Sequence, residues 1–229
     1  MISIIIPVYN EGKTIGSLVR YLKSKRVSDQ ECEIIVVDGK SEDDTVQTAK
    51  KAGAHVINSP KKGRARQMNY GAEKAKGEIL YFLHADTFPP QTFIDDIQKT
   101  FEKGFLAGCF RLQFDEARWL LRFYGWCTRF DIPAFRFGDQ SLFISKSLFE
   151  EIGRFRENLI VMEDNEIIYR IRKKSKFKII PKSVTTSARK YEKNGYVRLQ
   201  FIFTLIYCLY HLGVPQQGLV KIYKEYIYR

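Results

Sequence analysis

Hydrophobic positions along the chain fall into two alternating periods. Ile2 to Val8 is an almost unbroken apolar run of the length of a buried strand, and Asn10 and Gly12 supply the turn that follows it. Ile15, Leu18, Val19 and Leu22 then recur at i, i+3, i+4 and i+7, which predicts an amphipathic helix from Thr14 to Lys25. The unit repeats. Glu33 to Val37 predicts a second strand running into Asp38-Gly39, and Ser41 with Asp44 reads as a capping box for a helix from Asp43 to Ala52. A short strand near His55 to Asn58, a helix from Arg64 to Lys76 and the buried run Ile79 to Leu83 complete the series. Strands and helices that alternate at crossover length predict an α/β domain, with a parallel sheet and helices on both of its faces.

After a predicted helix from Gln91 to Glu102 the pattern changes. Phe110, Leu112 and Phe114 alternate with Arg111 and Gln113, as in a strand with one wet face, so the sheet is expected to be mixed. Ser141 to Ser145 predicts another short strand. Glu163 to Lys174 predicts a helix with Ile167, Ile168 and Ile171 inward. Leu199 to Leu212 is nearly all apolar and aromatic, yet shorter than the roughly 20 residues that a membrane-spanning helix needs. Lys221, Lys224 and Arg229 then stand among Tyr223, Tyr226 and Tyr228, a mixture suited to an anionic headgroup region. No linker or repeat interrupts the chain. The expected organisation is one domain over residues 1–192 and a helical appendage over 193–229. That appendage either packs on the domain or lies in a membrane interface, and the two are compatible.

Composition narrows the partners. Hydrophobic residues at 45% and charged residues at 28% describe a globular protein, while a formal charge of +12 calls for an anionic partner: nucleic acid, a nucleotide diphosphate or an acidic membrane surface. Cys32, Cys109, Cys127 and Cys208 have no paired spacing and read as buried thiols of a reducing compartment, without a zinc site. Met1 leads directly into the first strand, with neither a basic leader nor a long apolar run. A cytoplasmic protein is therefore expected, peripheral at the inner face of the membrane if the appendage binds lipid.

Three strand ends carry polar groups: Tyr9-Asn10-Glu11, Asp38 and His84-Ala85-Asp86. Parallel strands joined by right-handed crossovers place these ends on one edge, where open α/β sheets bind ligands. Asp86 there either caps the helix after Pro89-Pro90 or holds a divalent cation against a diphosphate.

Ser3 to Glu11, Ile34 to Gly39 with Ser41, Asp43 and Thr45, the His-Ala-Asp, and Met162-Glu163-Asp164 ahead of a helix together resemble the inverting family 2 glycosyltransferases of the GT-A fold, over residues 1 to about 190. The resemblance implies a nucleotide-sugar donor of UDP or GDP type. Pro7 and Tyr9 would line the base, Glu11 would sit by the ribose or base, and Asp38 would accept a hydrogen bond from the base. Arg66 would reach the nucleotide from the first turn of its helix. Asp86 would bridge the diphosphate through Mg2+ or Mn2+, with His84 in place of the usual first acid. Asp164 would be the catalytic base and Glu163 would orient the site. Asp139 and Gln140 would stand on the acceptor side, and Arg189 or Lys190 would close over the diphosphate. The Gln-x-x-Arg-Trp motif of processive members is absent, which implies transfer of a single sugar. The resemblance leaves the acceptor open; the C-terminal helices suggest a lipid or a lipid-linked glycan met at the membrane surface.

Two other readings compete. A sugar-phosphate nucleotidyltransferase shares the sheet and the metal acid, but calls for a glycine-rich basic loop after the first strand, where this chain has Pro7-Val8-Tyr9-Asn10-Glu11. A non-catalytic nucleic-acid or membrane-binding protein would explain the charge and the aromatics. It leaves the acids at successive strand ends unexplained, and no nucleic acid partner is expected.

Overall fold

The computed structural model describes residues 1–25, 32–136 and 138–227. Its first half follows the apolar pattern: β1 (Ile2–Val8), α1 (Gly12–Lys25), β2 (Cys32–Asp38), α2 (Thr45–Lys51), β3 (His55–Asn58), α3 (Arg64–Lys74) and β4 (Ile79–Phe82). These strands pair in parallel in the order β3-β2-β1-β4, with Ile4 opposite Ile34 on one side and Tyr81 on the other. β1 is buried on both faces. Ile2, Ile4, Ile6 and Val8 pack toward α1, whereas Ile5 packs with Val37, Leu80 and the Ala65, Met68 and Ala72 stripe of α3. Burying each such isoleucine contributes about 1.5–3 kcal/mol, so this strand anchors both layers.

The second half is β5 (Thr87–Phe88), α4 (Phe93–Glu102), β6 (Ala107–Phe114), α5 (Trp119–Cys127), two short 3-10 turns, β7 (Leu142–Ser145), α6 (Lys146–Glu151), α7 (Glu163–Lys174), β8 (Phe177–Thr186), α8 (Arg189–Asn194), α9 (Tyr196–His211) and α10 (Gln216–Tyr226). The sheet continues β4-β7-β6-β8-β5, with β7 antiparallel to both of its neighbours and β8 parallel to β6. β6 and β8 therefore run in the same direction as β1 to β4. The C-terminal ends of six strands share one edge, and the sheet is mixed as the wet face of β6 suggested.

Local signals were less exact. α2 begins at Thr45, and no side chain caps it at Asp44. Ser41 instead accepts the Asn10 N–H at 2.9 Å, and Asp43 accepts N–H groups from Thr45 at 3.0 Å and Gly12 at 3.1 Å. Ser41, read as one half of a capping box, and Asp43 thus tie the loops after β1 and β2 together. α3 ends at Lys74, two residues early, because Ala75 is already extended. Cys32, Cys109 and Cys127 are buried free thiols, but Cys208 lies on the exposed side of α9, contrary to the expectation for all four.

α9 and α10 put Leu199, Ile202, Ile206 and Ile227 into the same core layer as α1. Among the described residues, no helix is long and apolar enough to cross a membrane. Tyr228 and Arg229, part of the predicted headgroup-like segment, lie outside the described residues.

Candidate active site

The edge formed by the strand ends gathers acids and arginines. At the end of β1, Asn10 has a φ of 55°, so that its side chain accepts the Glu42 N–H at 2.9 Å while its own N–H reaches Ser41. Tyr9 stays partly exposed beside Pro7, with the Lys62 ammonium 4.7 Å above its ring. The buried Asp38 carboxylate accepts N–H groups from Lys40 at 2.9 Å and Ser41 at 3.0 Å. Gln67 locks these ends together: its amide donates to Val8 O and Val37 O, both at 2.8 Å. That strap sets the first turn of α3, and with it Arg64 and Arg66, beside the ends of β1 and β2.

Arg189, at the start of α8, spans two strand ends. Its Nη2 donates to Glu11 Oε1 at 2.6 Å and lies 3.0 Å from Asp86 Oδ2. Asp86 does not cap α4, since β5 intervenes and Thr92 stands at that cap. Arg66 lies apart from this cluster, with Nη1 donating to Lys62 O at 3.4 Å and Nε 3.7 Å from Glu157.

A second cluster forms at the start of α7. Met162 takes the left-handed conformation with a φ of 69° and turns the chain into the helix. Arg64 reaches Glu163 Oε1 at 3.2 Å and Asp164 Oδ2 at 3.6 Å. Burial and the adjacent Asp164 charge push Glu163 up to about 7, although Arg64 opposes them. Gly138 lets Asp164 pack closely, because a Cβ there would lie 2.1 Å from Asp164 Oδ2 and displace that carboxylate.

The two clusters meet at His84. Its Nδ1 is 2.9 Å from Asp139 Oδ1, and His84, Gly138 and Asp164 line one small pocket. Crowding by protein pushes the Asp139 carboxyl up, but the hydrogen bond and charge of His84 outweigh this and hold it below the usual carboxylate range.

The Asp139 side chain is still 47% exposed, whereas Gln140 is buried. It is 1% exposed and its amide is used inside the loop, accepting from Arg136 Nη1 at 2.5 Å and donating to Phe135 O. Lys190 follows Arg189 on α8 and is only partly exposed.

A family model described as glycosyl transferase family 2 matches residues 3–161. The chain belongs to glycosyl transferase family 2. Among curated members, it is similar to glycosyltransferase AglE of Haloferax volcanii, at 31% identity over 100 residues that cover 41% of this chain and 33% of that protein. It is also similar to the undecaprenyl-phosphate 4-deoxy-4-formamido-L-arabinose transferase of Pseudomonas fluorescens, at 33% identity over 113 residues, 45% of this chain and 33% of that protein. The matched stretch thus spans about a third of the length of these family 2 relatives. In fold the chain is similar to the mannosyltransferase PcManGT of Pyrobaculum calidifontis, solved with GDP-Man and Mn2+, at a TM-score of 0.74 and 16% identity, covering 93% of this chain and 63% of that one. The sheet and its flanking helices are those of the GT-A glycosyltransferases.

Three residues near the candidate site were not singled out from the sequence: Gln67, Asn165 and Gln216. Asn165 donates to Pro133 O at 2.9 Å and Arg136 O at 3.3 Å, holding the loop that leads to Gly138 against α7. Gln216, at the start of α10, accepts from Ile160 N at 3.1 Å and Val161 N at 3.3 Å and donates to Val161 O at 3.2 Å. The last helix therefore grips the segment that enters Glu163-Asp164. Only for Gln67 was a hint available, a polar residue among the apolar positions of α3.

Proposed function

We propose that the protein is a metal-dependent, inverting glycosyltransferase that moves one sugar from a nucleotide diphosphate of UDP or GDP type to an acceptor hydroxyl. The observation that carries this reading is the gathering of Glu11, Asp86 and Arg189 at one edge of the sheet, with His84, just before Asp86, bonded to Asp139 beside the Gly138 against which Asp164 packs.

In this reading Pro7 and Tyr9 line the base, which displaces Lys62 from the Tyr9 ring. Asp38 has lone pairs left for a base N–H after its two backbone partners, and Glu11 faces the ribose. Arg66 and Arg189 hold diphosphate oxygens through charge-assisted hydrogen bonds, and the uncapped start of α3 adds N–H groups. Asp86 is the carboxylate that would hold a Mg2+ or Mn2+ once Arg189 turns to the diphosphate; no three potential ligands cluster there among the described residues, so phosphate oxygens and water would complete the shell. Bound there, the ion would supply positive charge to the departing diphosphate.

Asp164 accepts the proton of the acceptor hydroxyl as that oxygen forms its bond to the anomeric carbon. The bond from that carbon to the diphosphate breaks on the opposite face, and its electron pair leaves with the nucleotide. Configuration at the anomeric carbon inverts. Burial and the neighbouring charge favour the protonated form of Glu163, and Arg64 orients both acids. Asp139 faces the acceptor, and Gln140 serves that side by fixing the loop.

The acceptor is a lipid or lipid-linked glycan, a reading supported by the lipid in the name of the Pseudomonas relative, whose acceptor group there is a phosphate and not a hydroxyl, and by the apolar helix α9. Exchange of Asp164→Asn should lower transfer by about 10²–10⁴-fold while nucleotide affinity stays within about twofold. Transfer at the parent rate would overturn the assignment.

A further inference from the structure

Two helices distant in sequence show apolar stripes to solvent. On α5, Trp119, Phe123 and Trp126 stand at i, i+4 and i+7, with Phe130 one turn further; Trp119 is 77% exposed and Trp126 45%. On α9, Val197, Phe201 and Leu205 stand at i, i+4 and i+8, and Phe201 is 67% exposed. The stripes start at one groove of about 470 Å³, where Arg118 and Trp119 face Tyr196 and Val197. Cations are interleaved with the rings. Arg129 sits 5.1 Å over Trp126 and Arg122 is exposed between Leu121 and Phe123, while the Arg118 guanidinium, 4.4 Å over Tyr196, is paired with Glu116 at 2.6 Å and leaves Arg122 and Arg129 as the cations offered to a phosphate.

Single exposed apolar residues need no explanation, but a patch of aromatic rings rimmed by arginines marks an interaction surface. Its place in the fold is specific. α5 follows the C-terminal end of β6, and α8 with α9 follow that of β8, so both helices leave the edge that carries the candidate site. Asp115 joins them there, accepting the Ala188 N–H at 2.8 Å just before Arg189.

We infer that α5 and α9 form a docking face for the surface of an anionic lipid bilayer, on which the chain lies with its donor edge toward the headgroups. Trp and Phe rings seat at the level of the headgroups, arginine stems extend along them, and the guanidinium groups meet lipid phosphates. The net charge of +12 adds long-range attraction to such a surface. The docking stands on this face alone. Its use, bringing a lipid-borne acceptor to Asp164, rests on the transferase reading.

The test is direct because the chain has 2 tryptophans, Trp119 and Trp126, and both lie on this face. Intrinsic fluorescence of the full chain is titrated with vesicles of phosphatidylcholine mixed with phosphatidylglycerol, and with phosphatidylcholine alone. The expected result is a blue shift with the mixed vesicles that salt weakens, and a smaller one with the neutral lipid. R122E/R129E should lower partitioning by at least about tenfold without changing the thermal midpoint. The pair F123S/F201S, one exposed ring from each helix, should also lower it.

An unshifted spectrum with mixed vesicles overturns the inference. So does equal partitioning of R122E/R129E, or a shift given by single-stranded RNA in place of vesicles. Nucleotide-induced thermal stabilisation, read in the same samples, separates the two claims. Stabilisation without vesicle binding leaves the transferase reading and removes the docking face; vesicle binding without stabilisation does the reverse.

Discussion

Arg189 Nη2 lies 3.0 Å from Asp86 Oδ2 while also donating to both carboxylate oxygens of Glu11. One guanidinium thus compensates two acids from different strand ends, and it is the group best placed to exchange a carboxylate partner for a diphosphate. Arg189→Ala should cost the ligand-free protein about 1 kcal/mol, since the side chain is partly solvated. Nucleotide affinity should fall about tenfold through the lost charge-assisted hydrogen bonds. Titration calorimetry checks this, and unchanged affinity would remove Arg189 from the donor site.

Glu163 sets a pH dependence. Its carboxyl is raised from 4.5 to about 7, so between those values the folded chain binds a proton that the unfolded chain has released. Stability should therefore fall as pH rises from about 4.5 to about 7 and level off above. Glu163→Gln removes that slope, worth on the order of 3 kcal/mol. Urea unfolding at pH 5 and pH 8 measures it; a variant that keeps the parent slope would mean that the titration lies elsewhere.

Gly138 is a test of geometry without a change of charge. An alanine Cβ would sit 2.1 Å from Asp164 Oδ2 and 2.5 Å from its Cγ, so the carboxylate must move. Gly138→Ala should lower kcat about 10²-fold, the scale of loss for a displacement of about 1 Å, with nucleotide binding intact. A parent-like kcat would show that Asp164 is not where the chemistry needs it.

Gln216 acts at a distance. Its three hydrogen bonds hold Ile160 and Val161, just ahead of the left-handed Met162 and the acid pair. Gln216→Ala should destabilise by about 1–2 kcal/mol and lower kcat while the donor KM is unchanged. A loss of stability with kcat unaltered would make the contact a brace only.

Legibility in the sequence followed the period of burial. β1 and α7 appear at the predicted residues because a continuous apolar run and a 3.6-residue stripe report burial directly, and β3 also appears there although none of its residues is buried. β5, of two residues, is too short to carry a period, and the order β4-β7-β6-β8 depends on pairings that no local pattern encodes. Acids at strand ends were visible as interruptions of apolar runs. Their partners were not: Arg189 meets Glu11 across 178 residues, and Gln216 meets Val161 across 55. Gln140 shows the same limit, since a polar residue beside a turn looks solvent-facing until the buried Arg136 is seen to occupy its amide.

The central claim is a nucleotide-sugar site completed by a divalent ion at Asp86. Thermal unfolding with UDP, GDP, CDP and dTDP, each with and without Mn2+, tests it most directly for the parent and for Asp86→Ala. A nucleotide at about a hundred times its dissociation constant stabilises by about 2.7 kcal/mol, a shift of a few degrees for a chain of this size. The account predicts such a shift with UDP or GDP, dependent on Mn2+ and lost in Asp86→Ala. Stabilisation that is equal with and without the ion, or none with any nucleotide, would contradict it.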